Sequence, residues 1–224
     1  MIEGPRLLAE ALDARVRLVE VFAEEGAALD PRVQATPVAP GALDRSGDVG
    51  TSQGVLAVAE APPLALEAVG ELASAPLVLV VVDVADPGNL GTMLRAADAV
   101  GCDLVIVAGS GVDVLAPKVV RASAGALWRV PLAEAPVADV LDWLDSRGIV
   151  ALGAVPHGGR PMGEAGLGGA VALLLGNEAR GLAPGVSARL GGAVSIPMPG
   201  RAESLNVAMA ATVLLFEALR QRSA

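Results

Sequence analysis

The sequence predicts an α/β protein: a parallel sheet covered by helices on both faces, preceded by a smaller α/β unit. Three observations predict it. From Pro76 onward, apolar runs of strand length alternate with segments of helical spacing, the signature of βαβ units. Hydrophobic residues make up 53% of the 224 residues, ample core material for one moderate domain plus an appendage. Much of that material is Ala, Val and Leu, with two Trp, two Phe and no Tyr. Small aliphatics favour close-packed helices and buried parallel strands over a sandwich with aromatic anchors.

The elements follow in order. Residues 1–60 form the small unit: a helix over Pro5–Leu12, a strand over Val16–Phe22, a turn-rich stretch from Asp30 to Pro40, and a strand over Gly54–Ala59. Residues 61–75 are rich in Pro and Ala and read as a linker, with a short helix at Leu64–Leu72. Residues 76–224 form the main domain. Its expected strands are Leu77–Val82, Asp103–Val107, Leu127–Val130, Ile149–Val155, Ala170–Leu175 and Ala193–Ile196. Its expected helices are Asn89–Val100, Pro117–Ala124, Val137–Arg147 and Leu205–Arg222. No internal repeat is visible.

Composition excludes several classes. No apolar run approaches the roughly 20 residues needed to cross a bilayer. Met1-Ile2-Glu3-Gly4-Pro5 lacks the basic and apolar regions of a signal peptide, and the single Cys102 can form no intrachain disulfide, so the expectation is a cytoplasmic protein without a membrane segment. One histidine, His157, and one cysteine exclude a His/Cys zinc site, and no metal is expected. Cys102, Trp128 and Trp143 read as packing residues. The net charge of −9 argues against non-specific nucleic-acid binding, which rests on phosphate neutralisation. Yet Arg95, Lys118, Arg121, Arg129, Arg180 and Arg201 lie in or near the segments singled out below, so a locally basic cleft on an acidic body remains open.

Three segments each run from a strand into a loop suited to a ligand. The first is Asp83-Val-Ala-Asp-Pro-Gly-Asn-Leu-Gly-Thr-Met-Leu-Arg95. Asn89 is placed to cap the following helix, Gly88 and Gly91 permit close backbone approach, and Arg95 lies about two turns along. The same residues also describe an ordinary capped βα junction with a surface arginine. The second is Leu174-Leu-Gly-Asn-Glu-Ala-Arg-Gly-Leu182. It brings backbone groups and a carboxylate to the C-terminal edge of the sheet, where α/β folds bind ligands. Its structural alternative makes Glu178 a first-turn residue offsetting a helix macrodipole. The third is Ile196-Pro-Met-Pro-Gly-Arg-Ala-Glu-Ser-Leu-Asn-Val-Ala208. Here Ser204 is the natural N-cap of the last helix, and Asn206 falls inside its first turn, where Asn has no propensity advantage.

Taken together, these segments resemble the SpoU (TrmH-like) branch of the SPOUT RNA 2′-O-ribose methyltransferases. The family's Asn-x-Gly-x-x-x-Arg is met by Asn89, Gly91 and Arg95, and its Gly-x-Glu-x-x-Gly by Gly176, Glu178 and Gly181. Its Ile-Pro-Met-x-Gly and Ser-Leu-Asn-Val-x-x-Ala are met by Ile196–Met198, Gly200, Ser204–Val207 and Ala210. Lys118–Pro131 is also similar to the family. More loosely, Glu3-Gly4-Pro5 through Thr51–Val58 resembles its small substrate-binding domain.

The resemblance implies a SPOUT fold with a C-terminal deep trefoil knot, S-adenosyl-L-methionine as cofactor, RNA as substrate and a homodimer as the working unit. Carried over position by position, the cofactor contacts are Leu175, Gly176, Asn177, Ile196, Met198 and Leu205. The catalytic and positioning residues are Asn89, Arg95, Glu178, Ser204 and Asn206. Arg95 is the family's proposed key residue. A guanidinium is effectively always protonated, so it suits a phosphate clamp that steadies developing alkoxide charge better than a base. The family's dimers bring one subunit's arginine to the other's cofactor, so a monomer should be inactive. Resemblance of the small domain favours ribosomal RNA, specifically 23S, over transfer RNA.

Rival readings carry less. No Gly-x-Gly-x-x-Gly follows a strand, which argues against a dinucleotide-dependent dehydrogenase, and no Gly-Lys-Ser/Thr occurs, which excludes a P-loop enzyme. A non-catalytic RNA-binding or ribosome-assembly factor on the same fold is the alternative from another class. Its acidic balance favours it, and the retention of Asn89, Arg95, Glu178, Ser204 and Asn206 counts against it.

Overall fold

The computed structural model describes residues 1–45 and 52–223. Thr51, where one stretch likened to the family's small domain begins, lies outside the described residues. Residues 2–59 contribute β1 (Ile2–Glu3), α1 (Pro5–Asp13), β2 (Leu18–Glu24), β3 (Thr36–Val38) and β4 (Val55–Ala59). Their four strands form one sheet in the order β1-β4-β2-β3. The turn-rich stretch therefore contains a strand. Pro37 is tolerated there because β3 is an edge strand, where a missing N–H costs no ladder bond.

The second sheet begins at β5 (Leu77–Val82). After it come α2 (Pro87–Val100), β6 (Leu104–Ala108), α3 (Pro117–Ala122), α4 (Ala126–Arg129), β7 (Leu132–Ala135) and α5 (Val137–Ser146). The remaining elements are β8 (Val150–Ala154), β9 (Arg160–Pro161), β10 (Val171–Leu175), α6 (Pro184–Ser187), β11 (Gly192–Ser195) and α7 (Val207–Arg222). Seven strands lie in the order β7-β6-β5-β10-β8-β11-β9. Every pairing is parallel. β5, β6 and β10 are buried at every position, as strands covered on both faces must be.

The two faces have separate cores. One gathers Leu79, Val81, Leu173 and Leu175 with α2 and α7, and runs without a break into Leu7, Leu8 and Ala11 of α1. The other packs Val78, Val80, Leu104 and Leu174 against Leu141 and Leu144 of α5. Gly91 lets α2 meet α3 closely, since a Cβ there would lie 2.3 Å from that of Ala122.

Two expectations fail for stated reasons. Leu127–Val130 is not a strand but mostly α4, entered from Gly125 in the left-handed region (φ 87°), and the strand follows at β7. A four-residue apolar run has no periodicity to separate strand from helix. Leu64–Leu72 holds only a 3-10 turn at Leu66–Ala68. The backbone there is drawn extended by β7, whose Glu134 N donates to Leu64 O at 2.7 Å. Among the described residues, no helix is long and apolar enough to cross a membrane.

Arg121 and Arg129, counted from sequence with the cleft cations, are used to join the two sheets. Arg121 pairs with Glu3 of β1 at 3.4 Å, and Arg129 with Glu10 of α1 at 2.7 Å and Asp98 of α2 at 2.8 Å.

Candidate active site

The C-terminal ends of β8, β10 and β11 open onto a cavity of about 400 Å3. Open α/β sheets collect ligands at this edge, because strand ends there release loops while the strands stay rigid. Leu175, Gly176 and Asn177 line the cavity from the end of β10, and Ile196, Met198 and Leu205 from the segment after β11. All six expected cofactor contacts therefore fall on one wall system, together with Glu178 and Ser204. Sequence reasoning missed Ala154, Val155 and Pro156 at the end of β8 and Val207 and Leu214 of α7. Val207 closes the Ser204–Val207 motif without having been assigned to the cavity, and the others belong to no polar motif, so only the tertiary arrangement reveals them.

Gly176 is required by space. A Cβ there would lie 2.3 Å from the carbonyl carbon of Gly181 and 2.5 Å from the nitrogen of Leu182. The turn it abuts is built by Asn177. Its Oδ1 accepts from Ala179 N (3.1 Å) and Arg180 N (3.2 Å), and its carbonyl accepts from Gly181 N (2.8 Å). Asn177 Nδ2 donates to Asp83 O at 3.0 Å, tying this loop to the end of β5. Asp83 sits in the left-handed region (φ 52°), which Asp tolerates better than most residues. Ser110 N, donating to its carboxylate at 2.7 Å, holds it there.

Three of the proposed catalytic residues form one hydrogen-bonded chain. Asn206 Nδ2 donates to Asn89 Oδ1 at 3.0 Å, and Asn89 Nδ2 donates to Glu178 Oε1 at 2.8 Å. Glu178 also accepts from Ala85 N and Asp86 N, each at 3.3 Å. Its carboxylate thus faces the N-terminus of α2, where unpaired N–H groups favour negative charge. The alternative that made Glu178 a first-turn residue fails, because Glu178 lies in the 177–181 turn outside any helix and faces the start of α2 instead. Partial burial alone would raise the Glu178 pKa. The Asn89 amide and the two backbone donors outweigh that and leave it below the usual glutamate value.

A carboxyl held below its ordinary pKa adds stability above the unfolded pKa, about 4.3, and loses it as pH falls through the folded value. Wild type and Glu178→Gln are therefore expected to differ in urea midpoint at pH 7 and to converge in acid, once the pH has fallen through the lowered folded value. A difference that persisted unchanged in acid would remove the carboxylate's charge from the explanation.

Capping differs from the sequence expectation at both helices. Asp86, not Asn89, caps α2: its side chain accepts from Asn89 N at 2.8 Å, with Pro87 at the first helical position. Asn206, not Ser204, caps α7, accepting from Ala208 N (2.9 Å) and Met209 N (3.2 Å). Each asparagine is thereby freed or aimed for the contact between them. Asn206 caps with its oxygen and reaches Asn89 with its nitrogen.

Arg95 does not join this group. It is exposed on α2, makes no hydrogen bond or ion pair among the described residues, and is not part of the cavity wall. Six residues after Asn89, it points roughly 120° away around the helix axis.

The profile of the SpoU rRNA methylase family matches residues 76–216. The chain is 30% identical to the Bacillus subtilis 23S rRNA (guanosine(2553)-2′-O)-methyltransferase RlmP, over 96% of this chain and 86% of that protein. It is 39% identical to the Ralstonia nicotianae 23S rRNA (guanosine-2′-O-)-methyltransferase RlmB, over 76% of this chain and 70% of that one. The solved SpoU methyltransferase AviRb from Streptomyces viridochromogenes, in complex with the cofactor AdoMet, superposes with a TM-score of 0.86. That match is 32% identical and covers 99% of this chain and 90% of that one. With sequence, fold and cavity in agreement, this chain belongs to the SpoU rRNA methylase family.

Proposed function

We propose that the chain transfers a methyl group from S-adenosyl-L-methionine to a ribose 2′-hydroxyl of 23S ribosomal RNA, working as a homodimer in the cytoplasm. The cavity at the ends of β8, β10 and β11 carries this reading. Its volume of about 400 Å3 lies within the usual range of small-molecule sites, roughly 300–1,000 Å3. Its wall is aliphatic where Val194, Ile196, Leu205 and Leu214 meet, which suits the faces of an adenine ring. Its edge offers the backbone groups of the 176–181 turn, which suit the ring's hydrogen-bonding rim. The residues present therefore fit the cofactor, which when bound supplies an electrophilic methyl group on a sulfonium.

The chain's own residues would do the rest. The Glu178–Asn89–Asn206 chain fixes the start of α2 and the start of α7 relative to the cavity mouth, so the site is rigid before substrate arrives. Ser204, at the same mouth, offers a hydroxyl to the nucleotide. Arg95, permanently charged and unpaired among the described residues, suits a phosphate clamp that orients the ribose and steadies the oxyanion as the hydroxyl loses its proton.

Arg95 lies outside its own cavity wall, which supports a site completed by a second copy. Thr92, Arg95 and Ala99 form the exposed face of α2, and α7 packs beside it. On α7, Met209 (61% exposed) and Phe216 (47% exposed) stand two turns apart. That apolar pair, on the helix packed against α2, is the surface we assign to the dimer contact. The strand order supports a trefoil knot: the chain leaves β10, forms β11 beyond β8, then returns to set Asn206 against Asn89 and α7 against α2. Residues 1–60 are assigned to RNA docking, 61–75 to the linker, and 76–224 to the methyltransferase domain.

Tritiated methyl transfer from S-adenosylmethionine to unmodified ribosomal and transfer RNAs tests the reading. Label is expected in 23S RNA as an alkali-resistant dinucleotide, reduced roughly 100-fold or more by Arg95→Ala. Binding of the cofactor without transfer to any RNA or ribosomal subunit would favour a non-catalytic RNA-binding factor.

A further inference from the structure

The cavity wall carries two charged side chains, Glu178 and Arg180, two residues apart and of opposite sign. They are not equivalent. Glu178 is committed to Asn89 and to the backbone of Ala85 and Asp86. Arg180 makes no side-chain hydrogen bond or ion pair among the described residues, whereas six other arginines of this acidic protein are paired. Arg17, Arg32, Arg121, Arg129, Arg189 and Arg220 all meet carboxylates. Its backbone is nevertheless fixed, because its N–H donates to Asn177 Oδ1 and Gly181 N closes the turn onto Asn177 O. A rigid turn thus holds an unpaired guanidinium at the rim of a cavity that is otherwise largely aliphatic.

We infer that Arg180 clamps the α-carboxylate at the amino-acid end of bound S-adenosylmethionine. This rests on the cofactor reading of the cavity above. The ligand's carboxylate is its only anionic group, and Arg180 is the only cation on the wall among the described residues. A planar fork of donors matches a carboxylate's two oxygens. The aliphatic wall then takes the adenosine end, so Arg180 sets the ligand's direction in the cavity as well as its affinity. In that role it is a positioning and specificity residue: it rejects analogues lacking the carboxylate.

Titration calorimetry on the full-length protein with two ligands, S-adenosylmethionine and its decarboxylated analogue, reads this directly. The analogue keeps the adenosine, sulfonium and ammonium and lacks only the carboxylate. Wild type should prefer S-adenosylmethionine by roughly tenfold or more, the size of a solvent-accessible charge-assisted contact. Arg180→Ala should lose most of that preference by weakening S-adenosylmethionine alone, and Arg180→Lys should restore part of it. Equal weakening of both ligands, with a lowered melting temperature, would show a role in holding the turn and overturn the inference. Unchanged cofactor affinity with weakened RNA binding would assign Arg180 to an RNA phosphate instead, and also overturn it. If wild type bound neither ligand, the cofactor reading itself would fail and the inference with it.

Discussion

Gly176→Val is expected to abolish methyl transfer by destroying the cofactor cavity while leaving the rest of the fold in place. The atoms a Cβ would meet are the carbonyl carbon of Gly181 at 2.3 Å and its oxygen at 2.5 Å, both backbone, so no side chain can swing aside. The 177–181 turn must move, and with it Asn177, Glu178 and Arg180. Forced overpacking of this kind costs about 1–3 kcal/mol, which a chain with two large aliphatic cores can absorb. The cofactor cannot follow the moved turn, and its affinity should fall roughly 100-fold, readable by calorimetry beside a melting curve. A variant that bound S-adenosylmethionine normally would show that this turn is not part of the cofactor site.

Mixing two inactive variants should restore activity. If Arg95 of one copy serves the cavity of the other, a dimer of Arg95→Ala and Gly176→Val has one complete site. The Arg95→Ala subunit supplies the cavity and the Gly176→Val subunit the arginine. Random exchange of subunits should return about a quarter of wild-type activity, because half the dimers are mixed and each has one of two sites. Phe216→Arg placed in both variants should prevent the recovery, since a charge on an apolar contact repels the partner. No recovery from mixed, exchanged dimers would mean that each site draws on its own Arg95. The exposed position of Arg95, roughly 120° around α2 from Asn89, would then need a movement within one chain.

Much of this architecture was legible because secondary structure depends on local pattern. Leu77–Val82 and Ala170–Leu175 read as buried strands from unbroken aliphatic runs, and the structure pairs β5 and β10 in register at the centre of the sheet. Where a run was too short to show a period, as at Leu127–Val130, the sequence carried no signal to choose between strand and helix. The caps were misassigned because several residues near each helix start could cap. Asp86 prevailed over Asn89, and Asn206 over Ser204, once distant partners engaged the asparagine amides.

What the sequence determined by itself is the alternation of strands and helices and the identity of the residues in each loop. What only the tertiary structure decided is which loops share a site. Glu178 and Asn89 are 89 residues apart, and Asn89 and Asn206 are 117 apart, yet each pair is joined by a direct hydrogen bond. Such bonds arise from strand order, which places β10 between β5 and β8, and from the return of α7 onto α2. Spacing within a motif is a property of the chain. Distance between motifs is a property of the sheet, because burying both of its faces selects one packing of the same elements among many.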